Sequence, residues 1–148
     1  MDKSMPKLNI GCGPYPIDGY INIDKNPRWK PDVVCDVRKG LPYEDSSIDE
    51  IWASHFCEHL TYDEFMDFMD EAWRVLKKGS RCVITVPLNE RATIDHKMTL
   101  SEGSLDFLGT EEGRTYHNRN WNWDFKRNGI TGSHNGYDIM QVTVNAIK

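Results

Sequence analysis

Two glycines with one residue between them, Gly11 and Gly13, close a short apolar run, KLNI. Lacking side chains, they let backbone N–H groups approach a ligand closely, although the same pair also serves an ordinary tight turn. A second apolar run, YINID, ends at Asp24, and a third, DVVCD, ends at Asp36. A carboxylate at the first of these positions can accept hydrogen bonds from both hydroxyls of a ribose. At the second it can accept from the exocyclic amine of an adenine. A fourth run, IDEIWAS, ends at Ser54 and is followed by His55, Phe56, Cys57, Glu58 and His59. On a helix, His55 and His59 would share a face. The string HFCEH is nevertheless not the HExxH of zinc hydrolases, and a third ligand would have to come from afar, His96 being the candidate. No metal is expected. The readings left to these histidines are a contact to cofactor or substrate, with general-base duty for a hydroxyl or amine acceptor, or a structural role.

These residues need strands to deliver them. Five are expected: Lys7 to Gly11, Tyr20 to Asp24, Asp32 to Asp36, Ile48 to Ser54 and Arg81 to Val86. Their near-continuous Val and Ile content reads as parallel strands buried on both faces. One helix is strongly signalled. Thr61 and Glu64 form a capping box, and Phe65, Phe68, Met69, Ala72 and Leu76 recur at helical spacing. Lys77, Lys78 and Gly79 suit its C-terminal end, so the helix is expected over Tyr62 to Lys78. Leucine 88 to Leu100 reads as a polar loop carrying Asp95 and His96, and Ser101 to Leu108 as a short helix. Trp121, Trp123 and Phe125 alternate with polar residues, as do Met140, Val142, Val144 and Ala146. The intervening NGITGSHNG suggests the turn of a final antiparallel hairpin.

Composition sets the limits. A chain of 148 residues reads as a single domain spanning 1–148. Its net charge of −5 does not attract nucleic acid or an anionic membrane. No apolar run approaches membrane length, and MDKSMPKLNIG lacks a secretory leader's apolar stretch. Four scattered cysteines suggest free thiols and a cytoplasmic location, with Cys57 a buried thiol. Arg114, Arg119, Lys126 and Arg127 interleave with Trp121 and Trp123, a pattern able to stack and neutralise single-stranded nucleic acid. A strand burying its tryptophans explains it better.

The segments LNIGCG, GYINID, CDVRKGLPYEDSSIDEIWASHFCEHL and RVLKKGSRCVITVP resemble the class I S-adenosylmethionine-dependent methyltransferases, in particular the compact methyltransferase type 11 group. The resemblance implies an α/β, Rossmann-like fold with a mostly parallel sheet and an antiparallel C-terminal edge. It implies S-adenosylmethionine as cofactor and methyl transfer to an unidentified acceptor. Gly11, Cys12 and Gly13 would lie against the methionine part, Asp24 would bind the ribose hydroxyls, and Asp36 with Val37 would frame the adenine. Ser54 and His55 would close the floor beneath the sulfonium. His59 and His96 are the candidate catalytic residues on the acceptor side, Asp95 beside them.

Three departures from the family pattern stand out. Asn9 replaces the usual acidic residue two positions before the first glycine, and Tyr15 replaces the third glycine. Only about eight residues separate Gly11 from Tyr20, so the first crossover helix is expected to be reduced or missing. That trimming also suits a rival reading, a non-catalytic module binding S-adenosylmethionine or a partner. A nicotinamide dehydrogenase fits less well, because no helix N-terminus follows the turn to hold a pyrophosphate.

Overall fold

The computed structural model describes residues 5–90 and 95–148. Part of the loop expected over Leu88 to Leu100, and the first four residues of MDKSMPKLNIG, thus lie outside the described residues. Seven strands make one sheet: β1 (Lys7–Ile10), β2 (Ile21–Asp24), β3 (Val33–Val34), β4 (Ile48–Ser54), β5 (Leu76–Pro87), β6 (Trp123–His134) and β7 (Tyr137–Ala146). Their order is β3-β2-β1-β4-β5-β7-β6. Pairings among β1 to β5 are parallel, and β7 is antiparallel to both β5 and β6. The mostly parallel sheet with an antiparallel C-terminal edge is therefore observed.

No helix joins β1 to β2. Two buried asparagines take over the polar bookkeeping there. Asn9 and Asn22 are cross-strand partners, and Asn9 Nδ2 donates to Asn22 Oδ1 at 2.9 Å. The same oxygen accepts from the Ile17 N–H at 2.8 Å, while Asn9 Nδ2 also reaches the Tyr15 carbonyl at 3.2 Å. Asp32 Oδ2 receives both the backbone N–H and the amide of Asn22, at 2.8 and 3.1 Å. A buried donor left unmatched costs about 1–3 kcal/mol, so this mesh is what lets a turn replace a helix.

The capping box on α1 (Tyr62–Val75) is present as expected. Its stripe of Phe65, Phe68, Met69, Ala72 and Val75 packs on Leu8, Ile10, Ile51, Ala53, Ile84 and Val142. Met66 and Met69 are fully buried, while Trp73, read from its spacing as core, is only half-buried against it. The helix stops three residues earlier than expected. Leu76 turns into the sheet opposite Ile48, and Gly79 (φ 80°) forms a bulge in β5 rather than a helix cap. The carbonyls of Arg74 and Val75 accept instead from Ser46 and Ser47 N–H, at 2.9 and 2.8 Å. The second helix, α2 (Glu111–Tyr116), was not anticipated; the short helix expected before it is a 3-10 turn, Asp106–Gly109. Arg119, just beyond α2, bridges back to Asp70 of α1.

Neither helix covers the opposite face of the sheet. That face presents Asn9, Asn22, Glu50, Trp52, Thr143 and Asn145, with Val83 sheltered among them. The strands are thus buried apolar on one face only, against the two-sided burial expected from their Val and Ile content. Side-chain alternation accounts for the difference: the apolar residues fall on the α1 side. Glu50 in this face accepts from Arg81 Nε at 3.0 Å and from the Tyr20 hydroxyl, whose pKa burial and the carboxylate push up to about 12.

Most of NGITGSHNG is strand. β6 continues through it with irregularities near Gly129 and Gly132, and the turn is Asn135–Gly136 alone, both at positive φ. Asn-Gly is the pair that a two-residue hairpin of this hand favours. Trp121 and Trp123 are buried, which removes their indoles from any role in stacking bases.

Candidate functional site

A cleft of about 1290 Å³ opens at the carboxyl ends of β1, β2, β4 and β5. All ten candidates line it: Gly11, Cys12, Gly13, Asp24, Asp36, Val37, Ser54, His55, His59 and His96. A ligand in an open α/β sheet belongs at this edge, beside the point where the strand order reverses.

The turn after β1 is tied to β2 at two points. Cys12 N–H donates to the Ile23 carbonyl at 3.0 Å, and Gly13 N–H donates to Asp24 Oδ2 at 2.9 Å. Asp24 Oδ1 accepts from Asn26 N–H, also at 2.9 Å. Each carboxylate oxygen is therefore held by one backbone donor and keeps a further acceptor direction. The two glycines turn out to differ. A Cβ on Gly11 would lie 2.5 Å from Phe56 Cδ1, whereas one on Gly13 would meet nothing within 4 Å. Gly11 is required by protein packing, and Gly13 faces open cleft. Both have positive φ, 63° and 50°. Gly11→Ala is accordingly expected to cost about 2–4 kcal/mol, from a left-handed backbone plus overpacking, and Gly13→Ala only about 1–2 kcal/mol. Thermal unfolding of the two variants measures this; equal losses would contradict the packing role of Phe56.

Asp36 is less available than the sequence suggests. Arg38 Nε donates to its Oδ1 at 2.8 Å and a terminal guanidinium nitrogen to its Oδ2 at 2.7 Å, with Arg38 N–H adding a third bond. Arg38 holds the Asp36 carboxyl down to about 2. Val37 beside it is buried. Ser54 Oγ and Thr85 Oγ1 are 2.7 Å apart, fixing the end of β4 to β5.

The histidines are arranged differently from a helical pair. His55 sits at φ 51° with its N–H on the Thr85 carbonyl, and residues Cys57–His59 form a 3-10 turn. His55 and His59 consequently separate. His55 Nδ1 faces Glu58 Oε2 at 3.5 Å, which raises the imidazole's pKa against the opposing effect of burial. His59 meets His96 instead, ring centroids 4.6 Å apart at 87°. Its Nδ1 contacts the Asp95 carbonyl at 2.9 Å, and His96 Nδ1 pairs with the Glu90 carboxylate. Cys57 is fully buried, its thiol pKa pushed well up by burial, as suits an inert core residue.

Sequence reasoning passed over Arg38, Glu90 and above all Glu58, which is 1% exposed. The string HFCEH gives no sign of that burial. Glu58 is covered from above, its own carbonyl accepting from Lys97 and Met98 N–H, a contact between segments far apart in the chain.

A sheet of this order, with its one reversed strand and its cleft at the parallel strands' carboxyl edge, is the fold of class I S-adenosylmethionine-dependent methyltransferases. A family model described as a methyltransferase domain matches residues 19–84, in keeping with the resemblance of the sequence motifs. No curated protein matches the chain. Among solved structures, it is similar to a SAM-dependent methyltransferase from Archaeoglobus fulgidus at 17% identity and TM-score 0.68, covering 99% of this chain and 87% of that one. It is also similar to the Burkholderia thailandensis 1,6-didemethyltoxoflavin-N1-methyltransferase, which was solved with bound 1,6-didemethyltoxoflavin and S-adenosylhomocysteine. There the identity is 14%, the TM-score 0.64, and the coverage 97% and 72%. The [4+2]-cyclase SpnF shares the fold as well, at 14% identity and TM-score 0.63, with 99% and 76% covered. No helix among the described residues is long and apolar enough to cross a membrane.

Proposed function

We propose that residues 1–148 form a single cytoplasmic domain that binds S-adenosylmethionine and transfers its methyl group to an acceptor. The observation that carries this reading is Asp24, oriented by two backbone donors at the mouth of β2 with acceptor capacity to spare for two ribose hydroxyls. Beside it, Gly13 opens onto free space. Pockets for drug-sized ligands run to about 1,000 Å³, so a cleft of about 1290 Å³ has room for an acceptor beside the cofactor.

Bound in the cleft, S-adenosylmethionine would supply an activated sulfonium methyl group to a nucleophilic acceptor. The residues have simpler tasks. Gly11 and Cys12 shape the turn against the methionine part. Asp36 and Val37 frame the adenine, Asp36 through whatever acceptor capacity Arg38 leaves it. Ser54 and His55 close the floor. His59 and His96 face the acceptor, and since Nδ1 of His59 is engaged by a carbonyl, its Nε2 is the atom able to take a proton. Reaction then rests largely on holding the two partners in line.

Titration calorimetry with S-adenosylmethionine and S-adenosylhomocysteine tests the proposal. Binding is expected, with about 2.7 kcal/mol of added stability at 100 times the dissociation constant. Absence of heat and of thermal shift at millimolar cofactor would overturn it. The rival, a non-catalytic module, draws on the missing first crossover helix; it expects cofactor heat but no transfer to any acceptor.

A further inference from the structure

We propose that Glu58, His59 and His96 form a site for a divalent transition-metal ion of the zinc type on the acceptor side of the cleft. One ligand atom from each of the three lies within 4.8 Å of the other two. Ligand atoms of a tetrahedral ion at about 2.0–2.1 Å stand about 3.4 Å apart, so the set has to close by up to about 1.5 Å. His59, exposed on its turn, has the freedom to do so.

Glu58 supplies the observation that points to a ligand. Its carboxylate is 1% exposed, lines the cleft, and has no hydrogen bond to either oxygen among the described residues. His55 Nδ1, at 3.5 Å from Oε2, is an ion-pair neighbour at the outer limit of a hydrogen bond and leaves Oε1 without a partner among the described residues. Buried charges in proteins are paired, hydrogen-bonded or bound to metals, because the cost of stripping their water is otherwise large.

Each imidazole has an acceptor oxygen at its Nδ1. The Asp95 carbonyl can only accept, so His59 carries its hydrogen on Nδ1 and its lone pair on Nε2. The Glu90 carboxylate at His96 Nδ1 favours the same tautomer there. A backbone carbonyl or carboxylate behind a histidine is the usual outer support of a metal-binding ring. Two imidazole nitrogens and one carboxylate oxygen suit zinc and its transition-metal neighbours, whereas magnesium and calcium prefer oxygen alone. Three protein ligands leave a fourth position, on the cleft side, for an oxygen donor of water or of the acceptor. With the ion bound, the imidazoles act as ligands rather than as proton acceptors. The site itself does not depend on the cofactor reading.

Calorimetric titration of the intact chain with Zn²⁺ is the test, with Mg²⁺ as contrast and Co²⁺ absorption as a second readout. One equivalent of Zn²⁺ is expected to bind and to raise the melting temperature, Mg²⁺ to give no heat, and Co²⁺ to show the visible bands of a low-coordinate nitrogen and oxygen site. Glu58→Gln and His59→Ala should each weaken Zn²⁺ binding at least 10-fold; His59 is exposed, so its variant keeps the fold. No heat with Zn²⁺ to millimolar concentration would overturn the proposal. So would affinity unchanged in both variants, which would put the ion elsewhere. S-adenosylmethionine titrations run in parallel keep this failure apart from failure of the methyltransferase reading.

Discussion

His96→Ala is expected to abolish methyl transfer while leaving S-adenosylmethionine affinity nearly unchanged. The ring stands at the far side of the cleft from Asp24 in the sequence of strands, on the segment after β5, edge-on to His59 and paired with Glu90. None of these partners belongs to the candidate cofactor residues. A general base typically contributes 10²–10⁴-fold in rate. Radiolabelled cofactor offered with a panel of acceptors reads the transfer, and calorimetry reads the affinity. Assayed without added Zn²⁺ the variant reads the base role of the ion-free site, and titrated with Zn²⁺ it should also lose affinity for the ion. Full activity on a confirmed acceptor would return the segment to a structural role.

The second large effect is at Asp24. Asp24→Ala should weaken cofactor binding by 100-fold or more, and Asp36→Ala by roughly 10-fold or less. Hydrogen bonds to a charged partner contribute about 1.5–3 kcal/mol each, and Asp24 is placed to make two to the ribose. It also holds Gly13 and Asn26 N–H, so its loss loosens the turn that meets the ligand. Asp36 already spends both oxygens on Arg38. A comparison with Asp24→Asn separates charge from shape, since an amide retains the size but offers one acceptor oxygen. Equal losses for the two alanine variants, measured in one titration series, would sink the assignment of roles.

The features legible in the sequence were local ones. Gly11 and Asp24 stand where expected because a strand's end is marked by the residue that breaks its apolar run, whereas β3 stops at Val34 and Asp36, expected at its end, caps the 3-10 turn Val37–Lys39 instead. The capping box at Thr61 and Glu64 is likewise a four-residue signal. What escaped was decided by partners distant in the chain. Leu76 fits the helical stripe of α1 and equally a strand position opposite Ile48; only the sheet decides, and it took the strand. His59 looked like a partner of His55, yet its ring is met by a residue on the segment after β5. Glu58 reads as an ordinary charged turn residue until Lys97 and Met98 fold over its carbonyl. The open face was visible only once alternation placed Asn9, Asn22 and Glu50 together.

That open face also shapes the response to temperature. Unfolding raises the heat capacity through newly wetted apolar surface, while newly wetted polar surface lowers it. A sheet whose second face is largely polar has less apolar surface left to expose. For 148 residues the usual increment would be about 2 kcal/mol per kelvin, and this chain should fall below it. Its stability curve is then flatter than that of a sheet clad on both sides, with a wider span between cold and heat denaturation for the same maximum. The missing helices therefore reduce the size of the core and, with it, the curvature of the free energy that the core supplies.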